Sequence, residues 1–245
     1  MRLQGKIAIV TGAGSGFGAE MARRFGAEGA HVAVADIDAA SAEKVAAEVH
    51  GASAFQCDVS DSASVKALVA AVGERFGDPD IVVNNAGTTH QRGDMLAVDE
   101  ATFDRVMAVN VKSIYLMAIH AVPHMKKGAS ILNIASTAGV RPRPGLTWYN
   151  GTKGAVITLT KSMAVELAPR GIRVNALNPV VGETGLTAMF LGEDTPEMRE
   201  AFRSTIPLGR FSTPRDIANA AVFLSSDEAE FLTGVCMEVD GGRCI

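Results

Sequence analysis

Seven short apolar runs, separated by longer stretches with helical periodicity, constrain the fold of this 245-residue chain most strongly. The predicted strands are Ile7–Thr11, His31–Asp36, Ala54–Val59, Ile81–Asn84, Ser130–Ala135, Arg173–Leu177 and Val235–Val239. These runs are continuously hydrophobic, which is typical of strands buried on both faces of a parallel sheet. Their alternation with helices indicates right-handed crossovers. We therefore expect one α/β domain over residues 1–245, a three-layer sandwich around a mostly parallel, seven-stranded sheet.

Apolar residues at helical spacing predict the segments between these strands. The predicted helices are Ala19–Glu28, Ser64–Phe76, Ala101–Met125, Trp148–Ala168 and Arg215–Ser225. Residues 137–146 and 181–213 fit neither pattern clearly, although residues 195–202 carry a weak helical one. Loops of that length in a compact domain are usually functional, so we expect residues 181–213 to form the substrate loop.

Composition excludes several classes of protein. Hydrophobic residues make up 47% and charged residues 20% of the chain, which is incompatible with intrinsic disorder. A net charge of -4 argues against a nucleic-acid partner. The three cysteines have no C-x-x-C spacing, so neither a disulfide framework nor a metal site is expected. No run approaches the roughly 18 unbroken apolar residues of a membrane span, and no signal peptide is recognisable. These features predict a cytoplasmic protein without a membrane partner.

A glycine-rich loop follows the first strand, at Thr11-Gly12-Ala13-Gly14-Ser15-Gly16-Phe17-Gly18. Between a strand and a helix, such glycines let the backbone approach a diphosphate, which the helix N-terminus then binds. Asp36 ends the second strand about 20 residues later, where a carboxylate accepts both ribose hydroxyls and repels a 2′-phosphate. Ile37 and Ser15 offer no cation that would hold that phosphate. The sequence therefore predicts a Rossmann-type fold that binds NAD.

Tyr149 and Lys153 stand four residues apart in a predicted helix, so they share one face. A neighbouring ammonium and a cationic nicotinamide would lower the pKa of the phenol, which could then exchange a proton with a substrate oxygen. Ser136 follows the fifth strand, at the sheet edge where ligands bind in such folds. By itself this spacing also occurs by chance in unrelated sequences.

Taken in order, these motifs resemble the short-chain dehydrogenase/reductase family over nearly the whole chain. The matching elements are Thr11–Gly18, Asp58-Val59, Asn84-Asn85-Ala86-Gly87, Asn110, Ser136, Tyr149, Lys153, Asn178-Pro179, Thr184 and Asp240-Gly241-Gly242. The resemblance implies an oxidoreductase that transfers a hydride between NAD and a small secondary alcohol or its ketone. Three positions depart from the family pattern: Val180 stands where glycine is usual, Phe17 where isoleucine or leucine is usual, and Gly182 where a branched residue is common.

The resemblance also implies a role for each matching residue. Asn110, Ser136, Tyr149 and Lys153 would form the catalytic tetrad. In it, Tyr149 would be the general acid/base and Ser136 would orient the substrate oxygen. Lys153 would bind the nicotinamide ribose and lower the pKa of Tyr149, while Asn110 would hold a water of a proton relay. The cofactor-binding residues would be Gly12, Ser15, Gly16, Phe17, Gly18, Asp36, Asp58, Val59, Asn85, Ala86, Gly87, Tyr149, Lys153, Pro179, Gly182 and Thr184.

Two alternatives remain open. One is a 3-oxoacyl-[acyl-carrier-protein] reductase, although Asp36 and the negative net charge count against it. The other is an NAD-binding regulator without turnover, for which an intact tetrad would be superfluous.

Two further expectations concern surfaces. The resemblance implies a homotetramer, and we expect its interface to use outward-facing Ile114, Leu116, Ile157 and Leu159. Arg141 and Arg143 lie between Ser136 and Tyr149, where they could clamp an anionic substrate or remain solvated.

Overall fold

The computed structural model, which describes residues 1–182, 187–192 and 194–245, contains one seven-stranded sheet. Its strands are β1 Ile7–Thr11, β2 His31–Asp36, β3 Ala52–Gln56, β4 Ile81–Asn84, β5 Ser130–Ile134, β6 Arg173–Pro179 and β7 Cys236–Val239. They lie in the order β3-β2-β1-β4-β5-β6-β7, and every neighbouring pair is parallel. The predicted α/β fold with a predominantly parallel sheet is thus confirmed.

Helices cover both faces of the sheet. In the described part of the chain the α-helices are α1 Gly16–Ala27, α2 Ala39–Ala47, α3 Ser62–Arg75, α4 Glu100–Met107, α5 Ser113–Ala121, α6 Thr147–Leu167, α7 Thr187–Leu191, α8 Pro196–Arg203 and α9 Pro214–Ser225. Helices α1, α2 and α9 pack on one face, and α3, α5 and α6 pack on the other. Neighbouring strand residues point to opposite faces, so Ile9 belongs to the second core cluster and Val10 to the first.

Strand β3 is shifted from its predicted position, Ala54–Val59. Its last residue is Gln56, and the Cys57 N–H donates to the Asp36 carbonyl at 2.8 Å as the chain leaves the sheet. The Asp58 carboxylate then accepts the Ser60 N–H at 2.8 Å. This local turn removes Asp58 and Val59 from the ladder, a role typical of aspartate.

Helix α2 was not predicted from the sequence. Only Ala42 and Val45 of this alanine-rich segment are buried, so the apolar periodicity is weak. The helix begins at an N-cap, Asp38, whose side chain accepts the Ala40 N–H at 3.1 Å. Such a cap is worth about 1 kcal/mol.

The predicted helix Ala101–Met125 is interrupted in the structure. A π-helical turn, Ala108–Lys112, separates α4 from α5, and a 3-10 turn, Val122–His124, ends the segment. Glu100–His124 is long and apolar enough to cross a membrane by length and composition alone. Leu116 and Met117, however, pack in the core against the sheet, as in a core helix of a globular protein.

The predicted outward-facing apolar residues are only partly on the surface. Ile114 and Leu116 are each 3% exposed and face the core, so that expectation is wrong for α5. On α6, Ile157 and Leu159 are half-buried. The period of a helix does not show which side faces the sheet when apolar residues surround it.

Candidate active site

The carboxyl ends of β1 and β4 meet where the strand order reverses, and hydrogen bonds join them closely. The Thr11 hydroxyl donates to the Val83 carbonyl at 3.2 Å and accepts the N–H groups of Asn85 and Ala86, both at 3.1 Å. The Asn85 amide donates to the carbonyls of Thr11 at 2.8 Å and Gly12 at 3.1 Å. Crevices at such switch points bind ligands in doubly wound folds.

A cleft of about 600 Å³ opens at this point. Most residues predicted to bind a cofactor or to act in catalysis line it: Gly12, Ser15, Gly16, Phe17, Asp36, Asp58, Val59, Asn85, Ala86, Gly87, Ser136, Tyr149, Lys153, Pro179 and Gly182. Two others, Gly18 and Asn110, are not among its lining residues. The predicted Thr184 lies outside the described residues.

The glycine loop leaves room and donors for a diphosphate. Gly12 has φ +62°, and a Cβ there would lie 2.8 Å from the Ala86 Cα. Ser15 is the N-cap of α1 but makes no side-chain cap bond, so the first N–H groups of the helix keep their donor capacity. Gly18 serves packing instead, because a Cβ there would lie 2.1 Å from the Gly12 carbonyl oxygen. The loop therefore fits a dinucleotide's diphosphate.

Asp36 lies on the cleft wall beside this loop. One carboxylate oxygen accepts the Gly14 N–H at 2.8 Å, and the other accepts the Asp38 N–H at 3.1 Å. These bonds fix the carboxylate and leave lone pairs for ribose hydroxyls. The neighbouring Ile37 is 64% exposed and also lines the cleft.

Tyr149 is 6% exposed, and its ring packs against Phe190 with the centroids 5.1 Å apart. Burial raises the pKa of Tyr149 above its ordinary value, whereas a side-chain hydrogen bond with Ser136 and the positive charge of Arg143 act to lower it. We expected Lys153 to supply a lowering charge; Arg143 is instead the cation that acts in this way, and burial has the larger effect on the pKa of Tyr149.

Lys153 is 5% exposed, and its ammonium donates to the Ile134 carbonyl at 2.8 Å. The ammonium lies 5.8 Å from the centroid of the Tyr149 ring. Burial lowers the pKa of Lys153 from 10.5 to about 8, because a low-dielectric environment disfavours the charged form. A buried cation at a cleft is a frequent mark of a functional site.

Asn110 lies in the π-helical turn and is buried. Its side-chain oxygen accepts the Thr88 N–H at 2.8 Å, and its amide donates to the Thr88 carbonyl at 2.8 Å and the Thr152 hydroxyl at 3.1 Å. A Cβ at Gly87 would lie 3.5 Å from that Asn110 oxygen and 3.7 Å from the Lys153 ammonium. Glycine thus keeps a small space open between the two side chains.

The two departures at Phe17 and Gly182 compensate each other. A Cβ at Gly182 would lie only 2.4 Å from the Phe17 Cζ, so the large ring occupies the room that a side chain at position 182 would need. The third departure, Val180, packs with Ile206 and Phe211 while also lining the cleft. A valine is therefore accommodated by a cluster built from the 181–213 segment.

The structure separates the two arginines of the 137–146 segment. Arg141 is exposed and donates to the Arg243 carbonyl at 2.6 Å. Arg143 is half-buried, and its guanidinium carbon lies 5.3 Å from the Phe190 ring centroid and 5.1 Å from that of Phe202. Of the two alternatives, the exposed position of Arg141 fits a solvated side chain, whereas Arg143 lies against Phe190, a residue of the cleft wall.

The cleft wall also contains residues that the motifs did not predict: Cys57, Thr88, Arg105, Val109, Ile134 and Ala135. Thr88 could have been found, because it follows the Asn-Asn-Ala-Gly motif directly. Arg105 carries no motif, and only the fold brings it here. Val181 and Phe190, which also line the cleft, belong to the predicted substrate loop. His90, which follows Thr89 after the Asn-Asn-Ala-Gly motif, is buried and does not line the cleft. Within the described ranges no three His, Cys, Asp or Glu residues cluster as metal ligands.

A glycine loop at the switch point of a parallel sheet, with a buried Tyr-Lys-Ser group at the same edge, defines a Rossmann-type nucleotide-binding protein. Residues 12–243 match a family model described as enoyl-(acyl carrier protein) reductase. The chain belongs to the short-chain dehydrogenase/reductase family, and the homologues support an oxidoreductase that acts on CH–OH groups.

Three similar proteins illustrate this relationship. The 4-formylbenzenesulfonate dehydrogenase of Comamonas testosteroni is 53% identical, over 100% of both chains. The meso-2,3-butanediol dehydrogenase of Serratia marcescens is 36% identical, over 99% of this chain and 96% of that protein. The crystal structure of a 3-ketoacyl-(acyl-carrier-protein) reductase from Brucella melitensis, complexed with NADH, is 48% identical with a TM-score of 0.93, covering 99% of this chain and 100% of that one.

Proposed function

We propose that this protein is an NAD-dependent dehydrogenase that transfers a hydride between the cofactor and the CH–OH carbon of a small substrate. The observation that carries this proposal is one cleft containing both the diphosphate-binding glycine loop and the buried Tyr149, Ser136 and Lys153. Bound NAD would supply the hydride acceptor.

Tyr149 acts as the general acid/base in this proposal. In the oxidative direction Tyr149, as the phenolate, takes the proton from the substrate hydroxyl, while the hydride leaves the CH–OH carbon for the cofactor and a C=O bond forms. The Ser136 hydroxyl holds the reacting oxygen, and its bond with Tyr149 acts to lower the pKa of the phenol. Lys153 holds the nicotinamide ribose, and Asn110 holds a water in the space that Gly87 leaves open. Positioned acid/base groups contribute typically 10²–10⁴-fold to the rate.

NAD rather than NADP follows from Asp36. Its anchored carboxylate suits ribose hydroxyls and repels a phosphate dianion. The NADH complex of the Brucella melitensis protein supports this choice. Gly12, Ser15, Gly16, Phe17, Asp58, Val59, Asn85, Ala86, Gly87, Pro179, Gly182 and Thr184 would complete the cofactor site, with Gly18 supporting it through packing.

The substrate is a small alcohol or carbonyl compound, and residues 181–213 form its loop. The name of the Comamonas testosteroni relative places a formyl group on a benzenesulfonate. A hydrated aldehyde presents the same H–C–OH unit as an alcohol, so the same proton and hydride transfers apply to both. We therefore include aromatic aldehydes and alcohols in the proposed substrate class.

A 3-oxoacyl-[acyl-carrier-protein] reductase is the second candidate, favoured by the name of the Brucella melitensis structure. The relatives also include diol and aldehyde dehydrogenases, which favours the first candidate. The cofactor does not distinguish the two, because the Brucella melitensis reductase is complexed with NADH. Acyl-carrier substrates offered beside free alcohols and aldehydes distinguish the two.

The test is NADH absorbance with a panel of alcohols, aldehydes and ketones. Tyr149→Phe should lower turnover by about 10²-fold or more while NADH binding persists, because only the hydroxyl is removed. Tyr115→Phe is the matched control, since Tyr115 is 59% exposed on α5, outside the cleft. Activity of Tyr149→Phe within a few fold of the unchanged protein would reject this mechanism. NADH binding with no turnover of any substrate would favour the regulator without catalysis.

Assembly and location complete the proposal. We expect a homotetramer in the cytoplasm. Helices α5 and α6 carry exposed apolar side chains: Tyr115 is 59%, Ile119 43% and Val165 76% exposed. Contiguous exposed apolar patches are typical of protein–protein interfaces.

A further inference from the structure

Arg143 lies between two aromatic rings beside the proposed reaction centre. Its guanidinium is within 5.3 Å of the Phe190 centroid, and the Tyr149 ring is 5.1 Å from that same centroid. The positive charge of Arg143 also acts to lower the pKa of the Tyr149 phenol. The Phe190 ring thus contacts both the proposed acid/base and this cation.

Arg143 is one of three clustered cations. Arg243 lies over the other aromatic ring, with its guanidinium carbon 5.5 Å from the Phe202 centroid. Arg243 and Arg92 both act to lower the pKa of Arg143, after the larger effect of burial. Like charges gathered at a half-buried position destabilise the fold unless an anion neutralises them.

Arg143 and Arg243 retain unused hydrogen-bond donors. The Nε atoms of both, and Nη1 of Arg243, are buried without an acceptor in the described part of the protein. Neither guanidinium forms an ion pair with a described carboxylate. Buried donors of this kind are normally satisfied. These atoms have almost no accessible surface, so an anion with several oxygen acceptors satisfies them only when the guanidiniums turn towards it.

A separate cavity of about 220 Å³ adjoins these donors. Arg92, Arg143, Phe190, Phe202 and Arg243 are among its lining residues, and Phe190 also lines the catalytic cleft. The catalytic cleft and the smaller cavity therefore share Phe190 as a wall. Three arginines and two phenylalanines are among the residues that line the smaller cavity.

We propose that Arg143 and Arg243 form an oxyanion subsite that binds the sulfonate or carboxylate of an aromatic substrate whose CH–OH carbon lies at Tyr149. This inference rests on the proposed function. Guanidinium groups match such anions through paired N–H donors, and the neighbouring rings suit an aromatic ligand. The burial of the donors favours a small ligand over a docked carrier protein, which would need exposed charge.

Binding is tested first, without turnover. Benzenesulfonate, benzoate and the neutral benzenesulfonamide are titrated calorimetrically into the full-length protein with NADH. We expect the two anions to bind about tenfold or more tightly than the amide, because a hydrogen bond to a charged group is worth that much. Arg143→Met should abolish this preference, and Arg243→Met should weaken it. Arg203→Met is the control, since Arg203 is exposed on α8 and pairs with Glu200.

Kinetics then distinguishes the subsite from the proposed activity. For 4-formylbenzenesulfonate, Arg243→Met should raise KM by several fold or more with kcat nearly unchanged, whereas the corresponding sulfonamide should be unaffected. An equal loss with both substrates, or a loss confined to acyl-carrier substrates, would overturn the subsite. No anion preference in the unchanged protein would overturn it too. Absence of all turnover would reject the proposed function, while the calorimetric result would still decide the subsite. If Arg143→Met does not fold, Arg243→Met provides the same comparison.

Discussion

Replacing Lys153 with methionine should stabilise the protein near neutral pH while abolishing the proposed catalysis. Burial lowers the pKa of Lys153 from 10.5 to about 8. One unit of pKa shift corresponds to about 1.4 kcal/mol, so keeping the buried ammonium charged lowers the unfolding free energy by about 3 kcal/mol. Methionine keeps the apolar stem but loses the 2.8 Å hydrogen bond to the Ile134 carbonyl, worth about 1 kcal/mol. The net gain at pH 7 should be about 2 kcal/mol.

The difference in unfolding free energy between Lys153→Met and the unchanged protein should depend on pH. Below pH 8 the lysine is protonated in the folded and unfolded states, and the full cost is present. Between about pH 8 and 10.5 Lys153 keeps its proton only in the unfolded state. The unfolding free energy of the unchanged protein therefore rises by about 1.4 kcal/mol per pH unit in this range. The advantage of Lys153→Met should therefore shrink steadily above pH 8 and vanish or reverse by about pH 10.

Urea unfolding followed by circular dichroism, at one protein concentration and at pH values from 7 to 10, measures this difference. Subtracting the two proteins removes the contributions of groups that both contain, among them Tyr149 and Cys244, whose pKa values are raised by burial. Lys161→Met is the control, because Lys161 is an exposed lysine on the same helix. A free-energy difference that stays constant over this range, or a less stable Lys153→Met at pH 7, would refute the reasoning.

Three further predictions concern the cleft, and one concerns assembly. The unchanged protein should prefer NAD over NADP by about tenfold or more in kcat/KM, about 1.4 kcal/mol, and Asp36→Ala should narrow that ratio; equal use of both cofactors by the unchanged protein would contradict it. Asn110→Leu should lower the unfolding free energy by about 2 kcal/mol or more, measured in urea, because it leaves the Thr88 backbone without its partners. Gly182→Val should weaken NADH binding, measured by fluorescence, because the new side chain pushes the Phe17 ring into the cleft, and adding Phe17→Leu should restore it; no rescue would reject the pairing. Light scattering should give four times the 25.5 kDa chain mass, and a mass of one chain would reject the tetramer.

The sequence by itself determined the sheet, the glycine loop and most of the cleft wall. Continuous apolar runs report burial on both faces, and this property is local to each strand. The position of Asp36, 18 residues after Gly18, likewise followed from the chain alone. The ends of β3 and the existence of α2 did not, because a turn at Asp58 and a cap at Asp38 decided them through local hydrogen bonds rather than periodicity.

Tertiary structure alone decided the features that join distant segments. Asn110 pairs with Thr88 at a π-helical turn that no proline or glycine marks, and Phe17 fills the space beside Gly182. Arg141 and Arg143 have the same chemistry and nearly the same position in sequence, yet Arg143 is half-buried between two rings while Arg141 is exposed. The physical reason is that side-chain burial and its effect on charge depend on which segments pack together. Periodicity gives the elements, whereas packing gives their contacts.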